Sequence, residues 1–493
     1  MELQDLREEI DSIDQSLVEL FIKRMNLSAQ IADYKKAHNL PIYVPARENE
    51  ILQEVATMAG PEMASYTCAL YSTLFELSRG YQRKRNGTIC GLLGKTLGHS
   101  YSPQIHKHLG DYTYSLFEKQ SEELEAFLRN GSFTGLNVTI PYKKGVIPYC
   151  DALTERAEKL GAVNTIVRRP DGTLIGHNTD YFGFKSMVLR MGLSLTGKKV
   201  LVLGSGGASA TAVCVLQELG AETVIISRTG VNNYDNLHLH EDAAVIVNTT
   251  PVGMYPNVGE SLVDLDAFPH LEGVLDVIYN PARTKLLLDA EARNIPCQNG
   301  LWMLIAQAKE AAEFFTGNKI SDDIIGAIYG KISSQMQNII LIGMPGCGKS
   351  TIGQHLAQHL DRQFVDADAQ IVDMTKKTIP EIFAQDGETG FRHLETKVLT
   401  SLGQRSGLVI ATGGGCVTQA NNYPLLHQNG TIIWIKRDIS ALPTDGRPLS
   451  QNSDLTDMYR KREPMYASFA DHIVLNDSSV KDAVDRILKG LEL

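Results

Sequence analysis

This 493-residue chain is short of three things: paired cysteines, long apolar runs and an excess of positive charge. Its seven cysteines (Cys68, Cys90, Cys150, Cys214, Cys297, Cys347 and Cys416) are scattered, without the close spacing that a zinc site or a redox dithiol needs. That usage fits a reducing cytoplasm. No apolar run approaches the roughly 20 residues that span a bilayer. The opening stretch Met1–Leu6 is acidic and amphipathic, unlike a secretory signal. Lys and Arg total 47 against 57 Asp and Glu, a net charge of −10, so no phosphate-backbone footprint is expected. Neither a membrane nor a nucleic acid is an expected partner, but local Arg and Lys clusters remain free to bind small anions. At 43% hydrophobic and 21% charged, the composition is that of ordinary globular protein, and the length suggests about three domains.

Residues 1–86 read as helical. Leu3, Leu6, Ile10, Ile13, Leu17, Leu20, Leu27, Ile31 and Tyr34 follow a 3,4 spacing, and Arg24 stands at the gap. Arg24 and Lys35, eleven residues apart, share a helix face to within roughly 20°. Arg7 lies about 26 Å further along the same rod, so a common ligand would need Arg7 from a second chain. Pro41 and Pro45 break the helix, another opens at Arg47–Glu50, and a third runs from about Ala64 to Arg83. Gly80–Thr88 reads as a linker. Arg7, Arg24, Lys35, Arg47, Glu48, Ser78 and Gln82 resemble the ligand-binding set of the all-helical chorismate mutases. The resemblance implies Arg7, Arg24 and Arg47 on the carboxylates, Lys35 and Gln82 on the breaking ether, and Glu48 on the ring hydroxyl. It also implies a homodimer. Val44 departs from the family, which often has Asp there. That departure leaves open an alternative in which this segment only dimerises or senses an effector.

Residues 87–332 carry a second set of motifs. Asn137–Lys143 is a β-branched run ending in Pro and Lys, Gly161–Thr165 follows, and Gly176–Asp180 comes next. Together with His99–Pro103 they resemble shikimate dehydrogenase. The resemblance implies that Ser100 and Ser102 hold the substrate carboxylate, with Thr139, Asn164, Gln307 and Tyr279 as further contacts. Lys143 is the expected general acid/base, oriented by Asp180, because reduction of a ketone by hydride leaves an oxygen that must be protonated. An apolar strand at Lys198–Leu203 runs into Gly204, Ser205, Gly206, Gly207 and Ala208, a loop suited to pyrophosphate at a helix start. Ser209 takes the third glycine position. Ser227-Arg228-Thr229 follows the next strand, where an Arg accommodates a 2′-phosphate, so NADP(H) is expected over NAD. The Asn248–Met254 loop, with Gly253 and Met254, resembles the family's loop beside the nicotinamide. The expected substrate domain is 87–185 plus 298–332, around an NADP domain at 186–297. Trp302 reads as packing.

Residues 337–493 begin with the strand Asn338–Ile342 and the loop Gly343–Ser350, a complete phosphate cradle between strand and helix. In it Gly346, Gly348, Lys349, Ser350 and Thr351 would hold ATP, with Ser350 on Mg2+. Phe364–Asp368, Gly390–Glu395, Thr412–Gly415, Asp445–Leu449 and Arg462–Tyr466 then appear in the order of shikimate kinase, which they resemble. That resemblance implies Arg392 and Arg462 on the acceptor carboxylate and Gly413, Gly414 and Gly415 lining the pocket. Asp368 would meet the ring hydroxyls, Asp366 would hold Mg2+ through water, and Arg447 on a short lid would meet the transferred phosphoryl group.

The expected architecture is an all-α N-terminal unit, an α/β dehydrogenase with a Rossmann-like NADP domain, and an α/β P-loop kinase. The expected chemistry is 3-dehydroshikimate to shikimate, shikimate to its 3-phosphate, and chorismate to prephenate, in one enzyme of aromatic amino-acid biosynthesis. Quinate with NAD, or a nucleotide-sensing P-loop unit, are the rival readings.

Overall fold

The structure, a computed structural model of the chain, describes residues 3–38, 40, 44–87, 89–98, 100–169, 171–442 and 455–492. By its contacts the chain divides into two units, Met1–Gly183 with Ala306–Asp322, and Phe184–Ile305 with Asp323–Leu493. Among the described residues no helix is long and apolar enough to cross a membrane.

The first unit opens with two long helices, Leu3–Ala37 and Pro45–Asn86. The second is interrupted at Gly60, whose φ of 75° and ψ of 167° break the helical path just before Pro61. Pro45 is the first residue of that helix, where its missing N–H costs nothing and its fixed φ is already suitable. Of Gly80–Thr88, expected as linker, Gly80–Asn86 is instead the final turns of this helix. One Gly costs only about 1 kcal/mol against the helix formers that follow it. Ala29, Ala32, Val55 and Phe75 of these helices are buried. The expected seam faces outward in a single chain: Leu6, Ile10, Ile13 and Leu17 are all exposed.

The same unit holds a six-stranded sheet of β1 (Ile89–Gly94), β2 (Thr113–Glu118), β3 (Gly135–Val138), β4 (Ala152–Leu153), β5 (Thr165–Arg168) and β6 (Leu174–His177), ordered β2-β1-β3-β5-β6-β4. β3, β5 and β6 pair antiparallel, with Asn137 opposite Thr165 and Thr165 opposite His177. The segments that follow β3 and β6 and the one that precedes β5 therefore meet at one end of the sheet. A core of Leu93, Leu136, Val138, Ile166 and Leu174 fixes this register, since a one-residue slip would turn those side chains to the other face.

The second unit contains two parallel sheets. One has β7 (Lys199–Leu203), β8 (Glu222–Ile226), β9 (Val245–Asn248), β10 (Gly273–Asp276) and β11 (Cys297–Gln298), ordered β11-β10-β9-β7-β8. The other has β12 (Asn338–Ile342), β13 (Phe364–Asp366), β14 (Val409–Ala411), β15 (Gly430–Lys436) and β16 (His472–Leu475), ordered β13-β14-β12-β15-β16. Their central strands are continuous apolar runs because both faces are covered. Sites on such sheets form beyond the carboxyl ends of the strands, and the loops after β7, β8, β9, β12 and β13 hold the residues singled out above.

Gly403, at the end of the helix Ile379–Gly403, packs so closely that a Cβ there would collide with the Leu425 carbonyl of the helix Asn422–His427. Gly403→Ala is expected to destabilise the P-loop unit by about 1–3 kcal/mol, measured by chemical denaturation; unchanged stability would show that the helices separate without cost.

Candidate functional site

At the shared end of β3, β5 and β6, Lys143 Nζ donates to Asp180 Oδ2 at 2.5 Å. The other oxygen of Asp180 accepts from Asn164 Nδ2 at 2.9 Å. Asn164 also reaches Thr179 Oγ1 at 3.0 Å and Gln307 Oε1 at 3.4 Å, and its own Oδ1 accepts the Thr179 N–H at 2.7 Å. Behind this group, Tyr114 OH donates to Asn137 Oδ1 at 2.8 Å, and Asn137 Nδ2 donates to Thr165 Oγ1 at 3.2 Å. Lys143 keeps more exposure than Asp180 (29% against 12% of the side chain). Ser102 starts a short helix and is buried, and its N–H donates to Ser100 Oγ at 3.2 Å. Thr139 is tied to β1 by its N–H to Leu93 O at 3.0 Å. Asn137, Thr165 and Thr179 were not singled out from sequence. All three lie inside or beside the motifs quoted, at strand ends, which was the available signal.

In the first sheet of the second unit, Gly204–Gly206 leaves β7 and Gly207 begins the helix Gly207–Glu218. Ser227, Arg228 and Thr229 follow β8, with Arg228 exposed and close enough to act on the Tyr234 hydroxyl. Gly253 and Met254 lie in the loop after β9, and Met254 is exposed. Tyr279 lies beyond β10 and borders a cavity of about 590 Å³ with Arg283 and Asn299. Its loop is braced at the base by Asp276, which accepts from Ile278 N–H, Thr284 Oγ1 and Asn248 Nδ2. Burial pushes the Asp276 carboxyl up to about 7 despite these donors. Trp302 packs: its Nε1 donates to Ser186 Oγ at 2.8 Å, and Arg190 lies 4.2 Å over its ring.

In the second sheet a cavity of about 580 Å³ is lined by Lys349, Asp366, Asp368, Arg392, Gly413–Gly415 and Arg462. Gly346, Gly348, Ser350 and Thr351 line it too. Lys349 Nζ donates to Gly343 O and Met344 O at 2.9 and 3.0 Å. Ser350 Oγ donates to Asp366 Oδ2 at 2.7 Å. Two oxygens so placed beside a phosphate cradle fit a hard cation that keeps several waters.

Arg392 is buried and paired with Glu395 at 2.7 Å, which holds its fork toward the glycine loop. The three glycines are required by close approach. A Cβ at Gly413 would lie 2.5 Å from Glu395 Oε1 and 2.8 Å from Asp368 Oδ1, one at Gly414 would meet Pro345, and one at Gly415 would strike the Arg392 guanidinium. Arg462 Nη1 donates to Gly414 O at 3.2 Å. Asp368 Oδ1 and Glu395 Oε1 are buried without partners, and burial above all raises both carboxyls. Glu395 was quoted within a motif but given no role. Arg437 and Asn476–Ser478 were also missed; they follow β15 and β16 and line an adjoining cavity of about 500 Å³ with Gly348 and Thr351. Their position after strand ends was the signal. Arg447 lies outside the described residues.

In the helical segment, Arg24 Nη1 donates to Ser78 Oγ and to Leu74 O, the latter at 3.4 Å. Burial lowers the Lys35 pKa against the opposing fields of Asp111 and Glu48. Gln82 is buried with its Oε1 unpartnered. Glu48 is bound by Arg79, a residue not singled out, and Arg47 turns to Glu50 at the surface. Arg7 is exposed, some five turns along the rod from Arg24, so one chain does not unite the set.

Three family models match the chain in order: chorismate mutase type II over residues 6–83, the shikimate dehydrogenase substrate binding domain over 92–166, and shikimate kinase over 345–492. A shikimate dehydrogenase (NADP(+)) from Clostridium perfringens is 35% identical over 265 residues, which are 49% of this chain and 97% of the relative. The crystal structure of shikimate dehydrogenase 1 from Peptoclostridium difficile is 34% identical, with a TM-score of 0.47, covering 50% of this chain and 97% of that one. A chorismate mutase/shikimate 5-dehydrogenase fusion protein from Clostridium acetobutylicum is also 34% identical, with a TM-score of 0.48 and the same coverage. With nearly the whole length of such a relative matched, this chain belongs to the shikimate dehydrogenase family, and it carries a type II chorismate mutase segment before the dehydrogenase and a shikimate kinase segment after it.

Proposed function

We propose that the chain reduces 3-dehydroshikimate with NADPH, phosphorylates the resulting shikimate with MgATP, and rearranges chorismate to prephenate. Segments 1–86, 87–332 and 337–493 would carry the mutase, dehydrogenase and kinase. The observation that carries the reading is the Lys143–Asp180 pair, bonded through Asn164 to Thr179 and Gln307.

NADPH would supply the hydride when bound. Lys143 gives a proton to the carbonyl oxygen as negative charge grows there, and Asp180 keeps the ammonium aimed. Ser100, Ser102 and Thr139 would hold the ring's carboxylate end and Tyr279 its other contacts, while Arg228 would favour the 2′-phosphate. In the kinase, the buried Arg392 and Arg462 suit a carboxylate, which a planar fork binds in two-point fashion. Asp368, whose carboxyl is raised from its ordinary value by burial and by Asp366, is a fitting acceptor for the hydroxyl proton. Ser350 and Asp366 would hold Mg2+, and Arg437 with Asn476–Ser478 would receive the nucleoside end of ATP.

For the mutase, Arg24 and Arg47 would grip the carboxylates with Arg7 of a second copy, and Lys35 and Gln82 would stabilise the ether oxygen. A homodimer is supported by the uncovered row Leu6, Ile10, Ile13 and Leu17, which one chain leaves in water. The free cysteines suit a cytoplasmic setting.

The full chain given 3-dehydroshikimate, NADPH, ATP and Mg2+ should yield a product that gains two hydrogens and then a phosphoryl group, followed by mass. No product from 3-dehydroshikimate, or preference for quinate with NAD, would overturn the reading. Lys143→Met should lower dehydrogenase kcat about 100- to 10,000-fold with kinase rates unchanged; a small change would remove Lys143 from the chemistry. Gly413→Ala, whose Cβ would displace Glu395 and Asp368, should raise the kinase KM for shikimate about tenfold at constant ATP affinity. Arg7→Ala and Arg24→Ala should each abolish prephenate formation. Mixing the two variants should restore up to about a quarter of wild-type activity, because half the dimers regain one intact site; no recovery would contradict a shared site.

A further inference from the structure

Ser102 and the Lys143–Asp180 pair, the two ends of the proposed shikimate site, are joined through one side chain, Tyr114. Tyr114 stands on β2 opposite Cys90 of β1, whereas Asn137 stands on β3 opposite Leu92 of β1. The phenol therefore reaches across β1, two strand spacings or roughly 9.5 Å, and its hydroxyl donates to Asn137 Oδ1 at 2.8 Å. From there the bonds run in one direction. Asn137 Nδ2 donates to Thr165 Oγ1 at 3.2 Å, Thr165 Oγ1 to Asn164 Oδ1 at 3.2 Å, and Asn164 Nδ2 to Asp180 Oδ1 at 2.9 Å. Asn137, Asn164 and Thr165 are all buried, so leaving any of them unpaired is costly.

The face of the same ring is tied to the helix that Ser102 begins. His106, the last residue of the helix Ser102–His106, stacks on Tyr114 with centroids 3.9 Å apart and planes at 10°. The imidazole is buried, and its Nδ1 lies 2.6 Å from Tyr112 OH. Burial drives its pKa down to about 3, so the stacked ring is neutral. Burial likewise pushes the Tyr114 phenol well above its ordinary value, and the Cys90 thiol adds to this, against the Ser102 hydroxyl. Tyr114 therefore keeps its proton to donate, with Ser102 beside its oxygen and His106 against its ring.

We propose that Tyr114 is a positioning residue of the dehydrogenase, whose ring holds the helix of Ser102 and whose hydroxyl fixes Asn137, so that one rigid side chain sets the spacing between the groups for the substrate carboxylate and the pair that moves the proton. A tyrosine suits this task because the length of its ring is set by covalent bonds, not by torsions. Phenylalanine would keep the stacking on His106 and lose only the bond to Asn137. Asn164 holds Thr179 and Gln307 whatever happens at Tyr114. Loss of the phenol bond therefore loosens the carboxylate end more than the Lys143–Asp180 pair.

The inference rests on the dehydrogenase reading of Ser102, Lys143 and Asp180. It is tested in the full-length chain with Tyr114→Phe, Ser102→Ala and the double variant, assayed by shikimate-dependent reduction of NADP. Tyr114→Phe should raise the KM for shikimate about 3- to 10-fold, the worth of one hydrogen bond. The change in kcat should be smaller, and the KM for NADP and the kinase constants should stay as they are. In the double variant the rise in KM should fall short of the product of the two single rises, because both changes act on one carboxylate-holding element. A merely structural phenol would lower the thermal midpoint and leave the shikimate KM where it was, which overturns the inference, as does a double variant that shows the full product. If Tyr114→Phe does not fold, Asn137→Ala, which removes the acceptor of the same bond, decides by the same KM. A wild-type chain with no shikimate-dependent reduction of NADP overturns instead the reading beneath it.

Discussion

A single carboxylate organises the centre of this chain. Asp180 spends one oxygen on Lys143 and the other on Asn164, and Asn164 in turn binds Thr179 and Gln307. An exposed Lys–Asp pair would be worth little in stability. Here the carboxylate is largely withdrawn from water and its second oxygen is already committed, so the ammonium has one direction in which to point. The antiparallel register of β3, β5 and β6 makes this possible, since it brings the three segments that carry Lys143, Asn164 and Asp180 to one end of a sheet whose core forbids slippage.

The kinase pocket solves a harder problem, because it buries whole guanidinium and carboxylate groups. Arg392 survives burial through Glu395, and the pair is packed against backbone that has no side chains to displace it. Gly413, Gly414 and Gly415 are therefore spacing elements as much as pocket walls. Burial raises both the Asp368 and the Glu395 carboxyls against the field of Arg392. The helical segment is arranged differently: Arg24 and Lys35 are half-buried, whereas Arg7 and the apolar row Leu6, Ile10, Ile13 and Leu17 are exposed in one chain.

What could be read from the sequence was whatever chemistry sits in one contiguous stretch. Asn137–Lys143, Gly176–Asp180 and Gly343–Ser350 each hold their geometry locally, as a strand end followed by a loop, so residue types and order were enough. The strands at 199–203 and 338–342 were legible for the same reason: parallel strands covered on both faces are apolar without interruption. What escaped were partners supplied from elsewhere. Glu395 carries no sign of its duty until Arg392 is seen against Gly415, and Arg79 gives no hint that it will bind Glu48 across 31 residues. The contact between Ala282 and Asn429 joins positions 147 apart, and half of it is main chain, which no pattern of residue types encodes. The stretch Gly80–Thr88 reads as linker because a basic, polar run looks like loop, whereas neighbours with good helix propensity extend the helix to Asn86.

The central claim is that Lys143 and Asp180 meet the ring of the dehydrogenase substrate. A crystal structure of the full chain soaked with shikimate tests it most directly. The account predicts a ring hydroxyl within about 3 Å of both Lys143 Nζ and Asp180, as hydrogen bonding requires, with the carboxylate toward Ser100 and Ser102. Shikimate held in the sheet of β1–β6 without touching either residue, or found only beside Arg392 and Arg462, would contradict it.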